Sequence, residues 1–207
     1  MTLQQGVDAM AYVTFDQLAA EPGLLSGDVR NAEGILFSVR LLRPGDGPPL
    51  GQYFEELSAA VRRVYGPHPL TAAHADVLCA DLDYRLLLPF LAWTDGGDVA
   101  AYVVVHVGVR DGDRKRFIDH GQALADGECA TIAPCVADRW QGRGVGSAVL
   151  AHVAGAMRRL KRRRLVLWGG VRGDNPKAQH VYRKLGFRRV GNFTADGVDN
   201  FDMDCNL

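Results

Sequence analysis

The stretch Cys135-Val136-Ala137-Asp138-Arg139-Trp140-Gln141-Gly142-Arg143-Gly144-Val145-Gly146-Ser147 constrains the fold more than any other part of this chain. Residues 130–136 are apolar and read as a strand. Gly142, Gly144 and Gly146 follow at alternate positions, and an apolar pattern of helical spacing begins at Val145. A strand, a glycine loop and a helix in that order aim free backbone N–H groups at a phosphate. The glycines reach conformations closed to other residues and admit a ligand close to the main chain. Ser147 adds a hydroxyl near the helix start. Two common nucleotide loops do not fit. A P-loop ends in Gly-Lys-Ser/Thr, whereas Gly146 is followed by Ser147 and Ala148. A dinucleotide fingerprint needs Gly-x-Gly-x-x-Gly and an acidic residue about 20 positions on. Here the loop is Gly-x-Gly-x-Gly, and Leu160-Lys161-Arg162-Arg163-Arg164 holds no acid.

Gln141-Gly142-Arg143-Gly144-Val145-Gly146 resembles the Gln/Arg-x-x-Gly-x-Gly/Ala loop of the GNAT N-acetyltransferase superfamily. A second segment, Asn175-Pro176-Lys177-Ala178-Gln179-His180-Val181-Tyr182-Arg183-Lys184-Leu185-Gly186-Phe187, resembles that superfamily's Asn-x-x-Ala-x-x-x-Tyr-x-x-x-Gly-Phe at the expected distance downstream. The resemblance is strong over residues 128–205 and only an outline over residues 34–110. It implies an α/β (α+β) fold: a mixed central sheet of about six or seven strands, with splayed fourth and fifth strands, flanked by about four helices. It also implies a single acetyltransferase domain over residues 34–207, preceded by an extension, residues 1–33. Acetyl-CoA would be the acyl-donor substrate. The resemblance assigns its binding to Cys135 and Val136 at the strand end, to Gln141, Gly142, Arg143, Gly144, Val145, Gly146 and Ser147 in the loop and first turn, and to Asn175, Ala178 and Tyr182 downstream.

The implied reaction transfers an acetyl group to a primary amine, on a small molecule or a protein lysine, by direct attack in a ternary complex. An alkyl amine with pKa about 10.4 is mostly protonated at neutral pH, so the site needs a base or a water path to one. The developing oxyanion needs a donor, for which Val136 N–H is the first candidate and Cys135 N–H the second. The leaving thiolate needs a proton, and Tyr182 stands where the superfamily commonly has a tyrosine acid. Relatives often carry a glutamate base about seven residues before the aspartate of the Val-x-Asp-x-Trp string; here that position is Thr131, and Glu128 is the nearest acid. Tyr182 and Glu128 are therefore the catalytic candidates. The alternative is a non-catalytic acyl-CoA-binding or sensing module, which would use the same cleft. Val-Ala-Asp-Arg-Trp-Gln-Gly-Arg-Gly-Val-Gly resembles bacterial protein lysine acetyltransferase domains, but many members of unknown substrate share it.

Composition narrows the remaining classes. The 207 residues carry 24 Lys and Arg against 24 Asp and Glu, so no global field favours nucleic acid or an anionic membrane. Arg158, Arg159, Lys161, Arg162, Arg163 and Arg164 crowd the end of the loop helix, where cations complement its macrodipole. No apolar run approaches the roughly 18 residues of a membrane span, and no secretory pattern opens the chain. Cys79, Cys129, Cys135 and Cys205 lack metal or redox spacing and read as reduced thiols of a cytoplasmic protein. The six histidines form no His-Glu-x-x-His pattern, and no metal is expected. The expected partners are acetyl-CoA and an amine; a homodimer is a common assembly among relatives.

Away from the motifs, strands are expected at residues 35–41, 86–93 and 99–109, with a hairpin turn at Asp95-Gly96-Gly97-Asp98. The apolar stripe Tyr53, Phe54, Leu57, Ala60, Val61 and Val64 predicts one helix over 50–64, and Thr71 caps a second over 71–80. Residues 110–127 read as an exposed charged loop. Pro134, inside the central strand, predicts a bulge or an unpaired side there. Tyr53, His68 and His74 are candidate acceptor contacts, each weighed against a plain core or surface role.

Overall fold

The computed structural model describes residues 11–207. Residues 1–10 of the expected extension lie outside the described residues. The chain divides into two units, an N-terminal one of residues 13–105 with 133–153, and a C-terminal one of residues 106–132 with 154–207, which also takes residues 11–12.

In the N-terminal unit, α1 (Phe15–Ala20) begins at a capping box in which Thr14 accepts from Gln17 N–H and the Gln17 side chain returns to Thr14 N–H. Next, β1 (Gly27–Arg30) pairs antiparallel with β2 (Leu36–Leu41), from Gly27↔Val39 to Arg30↔Leu36. The stripe expected to make one helix makes two, α2 (Gly47–Glu56) and α3 (Ala59–Val64). Leu57 is extended, and Ser58 caps α3 by accepting from Val61 N–H, so the serine starts a helix rather than continuing one. Thr71 caps α4 (Ala72–Ala80) through His74 N–H. Strands β3 (Leu87–Trp93) and β4 (Val99–Val107) flank the expected hairpin turn, closed by Thr94 N–H donating to the Asp98 carbonyl at 2.9 Å.

Three elements contribute residues to both units: β4, β5 (Cys129–Val136) and α6 (Val145–Arg159). The α6 stripe Val145, Val149, Val153, Ala156 and Leu160 is buried as its spacing requires. In the C-terminal unit the expected loop over 110–127 holds a helix, α5 (Asp111–Asp119). Its charges hid it: Phe117 is its only fully buried large apolar residue, and the buried Asp113 is covered by Arg116. Then come β6 (Arg164–Leu167), the two-residue β7 (Val171–Arg172), α7 (Pro176–Lys184), β8 (Arg188–Ala195) and β9 (Val198–Asn206). Val109, Phe117, Leu124, Cys129 and Val166 form a core cluster here, with Val190 against it.

Among the described residues the nine strands make a mostly antiparallel sheet in the order β1-β2-β3-β4-β5-β6-β9-β7, with β8 paired to β9. The count exceeds the expected six or seven because β1 and the short β7 carry no strong apolar run. The parallel pair β5–β6 runs only from Cys129↔Arg164 to Ile132↔Leu167. Thus β5 continues for four residues with no partner in β6, and Pro134 falls in that stretch, where a missing N–H costs no β6 ladder bond.

Candidate functional site

Past Val136 the backbone turns through Asp138–Trp140 and enters the glycine loop. Gly142 and Gly144 have φ of +75° and +82°, the region that favours glycine. The first N–H to close onto α6 is that of Ala148, which donates to the Gly144 carbonyl at 3.1 Å. Among the described residues, none of the main-chain N–H groups from Gly142 through Ser147 donates a hydrogen bond to the chain. Six successive amides at the start of a 15-residue helix thus form a set of positive dipole ends. A Cβ on Gly142 would meet open space, and one on Gly146 would lie 3.3 Å from Val136 Cγ2. The loop therefore offers donors without a side-chain wall at Gly142.

The carbonyls at the end of β5 are held by side chains. Tyr53 OH donates to the Cys135 carbonyl at 2.8 Å, and Gln141 Nε2 donates to the Val136 carbonyl at 3.1 Å. Gln141 thus ties the loop back to the strand. Burial pushes the Cys135 thiol up to about 12, so it is no thiolate at neutral pH. The Arg143 guanidinium is taken by Glu33, which it holds below the usual carboxylate range. What Arg143 leaves to a ligand is its main-chain N–H. Asp138, between β5 and the loop, accepts from Ser58 N–H at 3.0 Å and Ser58 Oγ at 2.6 Å. It fixes the α2–α3 break. A cleft lined by Tyr53, Glu56, Leu57, Ala137, Asp138 and Arg139 starts one residue past β5. Arg139 spans its rim, 3.0 Å from Asp98 and 3.7 Å from Glu56.

These features and the candidate residues Cys135, Val136 and Gln141 to Ser147 all belong to the N-terminal unit. The remaining candidates belong to the C-terminal unit. Asn175 caps α7, its Oδ1 accepting from Ala178 N–H at 3.2 Å, with Pro176 in the first turn. Gly186, at φ +96°, ends that helix. Tyr182 is half-buried on α7, its ring 5.5 Å from that of Phe187. Thr131 is fully buried and donates to the Gly108 carbonyl at 2.9 Å. Glu128 precedes β5, is largely exposed, and faces Arg163 at 3.8 Å. Its side chain starts eight residues before Val136, along a strand that rises about 3.3 Å per residue.

His68 is half-buried: its Nε2 lies 3.1 Å from Tyr65 OH and 3.0 Å from Tyr102 OH, and its ring stacks on His74 at 4.4 Å. Sequence reasoning missed Ser58 and Glu33. A serine inside an apolar stripe was the available signal for the first; Glu33 had none, because its partner is 110 residues away. All four cysteines are buried free thiols, and no helix among the described residues is long and apolar enough to cross a membrane.

The profile of the acetyltransferase (GNAT) family matches residues 53–187, well over half of the chain. The chain belongs to the GNAT acetyltransferase family. Solved GNAT structures share its fold. The GNAT domain of S. lividans PAT superposes with a TM-score of 0.71 at 26% identity, over 90% of this chain and 99% of that one. Mycobacterium smegmatis RimJ in complex with CoA-disulfide gives 0.67 at 18% identity, over 88% and 87%. The ribosomal-protein-S5-alanine acetyltransferase from Vibrio fischeri gives 0.64 at 15% identity, over 82% and 92%. No curated protein matches the chain in sequence. The GNAT assignment makes the protein an acetyltransferase and accounts for the mixed α/β architecture.

Proposed function

We propose that this protein transfers the acetyl group of acetyl-CoA directly to a primary amine bound beside it. The observation that carries the reading is the run of undonated N–H groups from Gly142 through Ser147. A diphosphate supplies the acceptors that such a set lacks. The residues present fit coenzyme A: the loop has donors, no side chain at Gly142, and a helix N-terminus behind it. The RimJ structure, bound to CoA-disulfide, has this fold. Residues 34–207 act as the acetyltransferase domain and residues 1–33 as its extension, of which β1 pairs with β2.

Cys135 and Val136 flank the acyl group through main-chain N–H, with Val136 N–H as the first choice for the oxyanion. The unpaired half of β5 supports this, since those residues have no partner in β6. A protonated Cys135 thiol argues against an acetyl-cysteine intermediate and for direct attack. Tyr182 gives its proton to the leaving thiolate, and Asn175 and Ala178 shape the helix that carries it. For the amine's own proton, the exposed position of Glu128 before β5 favours a water path over direct contact with that carboxylate. On the cleft wall Glu56 and Asp138 outweigh the single cation Arg139, which suits an acceptor that arrives as a cation.

Release of coenzyme A from acetyl-CoA over a panel of primary amines, from polyamines to lysine peptides, tests the reading. Tyr182→Phe should lower turnover by about one to a few powers of ten while the fold survives. Equal turnover across neutral pH would remove Tyr182 from the mechanism. An unchanged acidic limb of the pH–rate profile in Glu128→Gln would leave water as the base path. Coenzyme A binding with no turnover on any amine would favour an acyl-CoA sensor.

A further inference from the structure

The glycine loop is gripped from outside by the turn between β1 and β2. Ala32 N–H donates to the Arg143 carbonyl at 3.3 Å. Arg143 Nε meets both Glu33 oxygens, at 3.0 and 2.9 Å, and Arg143 Nη2 donates to Oε2. The same guanidinium lies over the Trp140 ring, 4.4 Å from its centroid, and Trp140 meets Phe37 of β2 edge-on at 5.0 Å. The fit continues at Gly144, where a Cβ would stand 2.9 Å from both the N and the Cβ of Ala32. The turn itself is rigidly tied. The buried Asn31 accepts through Oδ1 from Glu33 N–H at 3.0 Å and from Ile35 N–H at 2.9 Å, and its own N–H donates to the Ile35 carbonyl.

A three-glycine loop loses much backbone freedom when a ligand orders it. A brace that fixes the loop beforehand removes that cost from binding. We propose that the β1–β2 turn is a positioning device that holds the glycine loop ready for the coenzyme A diphosphate, with Glu33 and Arg143 as its clasp. This rests on the loop being the acetyl-CoA cradle. It gives the segment ahead of residue 34 a part in donor binding. The sign of the effect is diagnostic. A carboxylate near an anion site repels the ligand by its charge alone, so a brace is what makes Glu33 helpful there.

Calorimetric titration of the full chain with coenzyme A decides the matter, using the parent, Glu33→Gln, Arg143→Glu, and the swapped double variant Glu33→Arg/Arg143→Glu. Glu33→Gln should weaken binding about two- to fivefold, the range of a part-exposed ion pair. That gap should narrow as NaCl rises. The swapped pair should recover most of the affinity lost in Arg143→Glu, and Glu33→Asp should fall between parent and Glu33→Gln. Melting temperatures should stay near the parent's, so that affinity and not folding is being read. Equal or tighter binding by Glu33→Gln overturns the brace, since repulsion then outweighs any support. Failure of the swap to recover affinity also overturns it, because Arg143 then touches the ligand itself. Absence of binding by the parent would sink the cradle, and this inference with it, and is told apart by appearing in every protein alike.

Discussion

The two units bury polar groups in different proportions. The N-terminal unit, which carries the glycine loop, buries neutral ones around Tyr102 and keeps an ion pair, Asp46 with Arg40, just ahead of α2. Tyr53 donates to a strand carbonyl, and His68 sits between the hydroxyls of Tyr65 and Tyr102. Burial raises all three phenols and lowers His68 to about 4, so each is uncharged at neutral pH. The C-terminal unit buries ions. Arg116 joins Asp113 to Asp202, and Arg164 and Arg188 converge on Asp204; Asp202 and Asp204 are wholly buried. Neutral hydrogen bonds hold the end of β5 and the aromatic interior beside it, while the charged clasp of Glu33 on Arg143 stays part-exposed at the loop. Ion pairs hold α5, β6, β8 and β9 to one another.

The largest test of this contrast is Asp204→Ala. It leaves Arg164, 16% exposed, without its main acceptor. Removing one partner of a buried pair costs about 3–5 kcal/mol. At roughly 2–4 °C per kcal/mol for a chain of this size, the melting temperature should fall by about 6–20 °C in differential scanning calorimetry. Coenzyme A affinity of the folded variant should not change. Loss of affinity in proportion to stability would mean that the two kinds of interior are not separable.

The units should also respond to acid with opposite signs. His68 has a folded pKa below its unfolded value of 6.5. Its contribution is therefore present above 6.5 and is lost as pH falls towards 4, by up to about 1.4 kcal/mol per pH unit and less for a ring only partly buried. Asp113 and Asp202 are raised by burial, against the pull of Arg116. Their contribution is greatest below the ordinary carboxylate value and declines as pH rises through their folded values. Urea unfolding between pH 4 and 7 should show His68→Gln flattening the loss of stability on the acid side. An unchanged slope would mean that His68 is already charged in the fold.

Legibility in the sequence followed the range of the interaction. The loop, the α6 stripe and the Asn175 cap rest on residues within a few positions of one another, and each stands as its spacing predicts. Pro134 foretold the unpaired half of β5, because the missing donor is a property of one residue. The helix α5 was hidden because its buried positions include Asp113, which counts as polar until Arg116 covers it. The break between α2 and α3 was hidden because Asp138, 80 residues on, fixes Ser58. The clasp of Glu33 on Arg143 spans still more chain. Such links depend on the finished fold, and no local pattern announces them.

The smallest effect discriminates best within the loop itself. Gly144 combines φ +82° with no room beside Ala32, whereas Gly142, at φ +75°, faces open space. Alanine at either position meets the left-handed penalty of roughly 1–2 kcal/mol. Only at position 144 must Ala32 also move, and with it the N–H that holds the Arg143 carbonyl. Gly142→Ala should therefore lose only the strain, about a five- to thirtyfold loss in coenzyme A affinity if it all falls on the ligand-ready loop. Gly144→Ala should lose more, and Glu33→Gln should add little to it because the clasp is already displaced. Equal losses at the two glycines, with Glu33→Gln adding in full to each, would show that the loop takes its shape from backbone preference alone and that the turn at Ala32 contributes nothing to it.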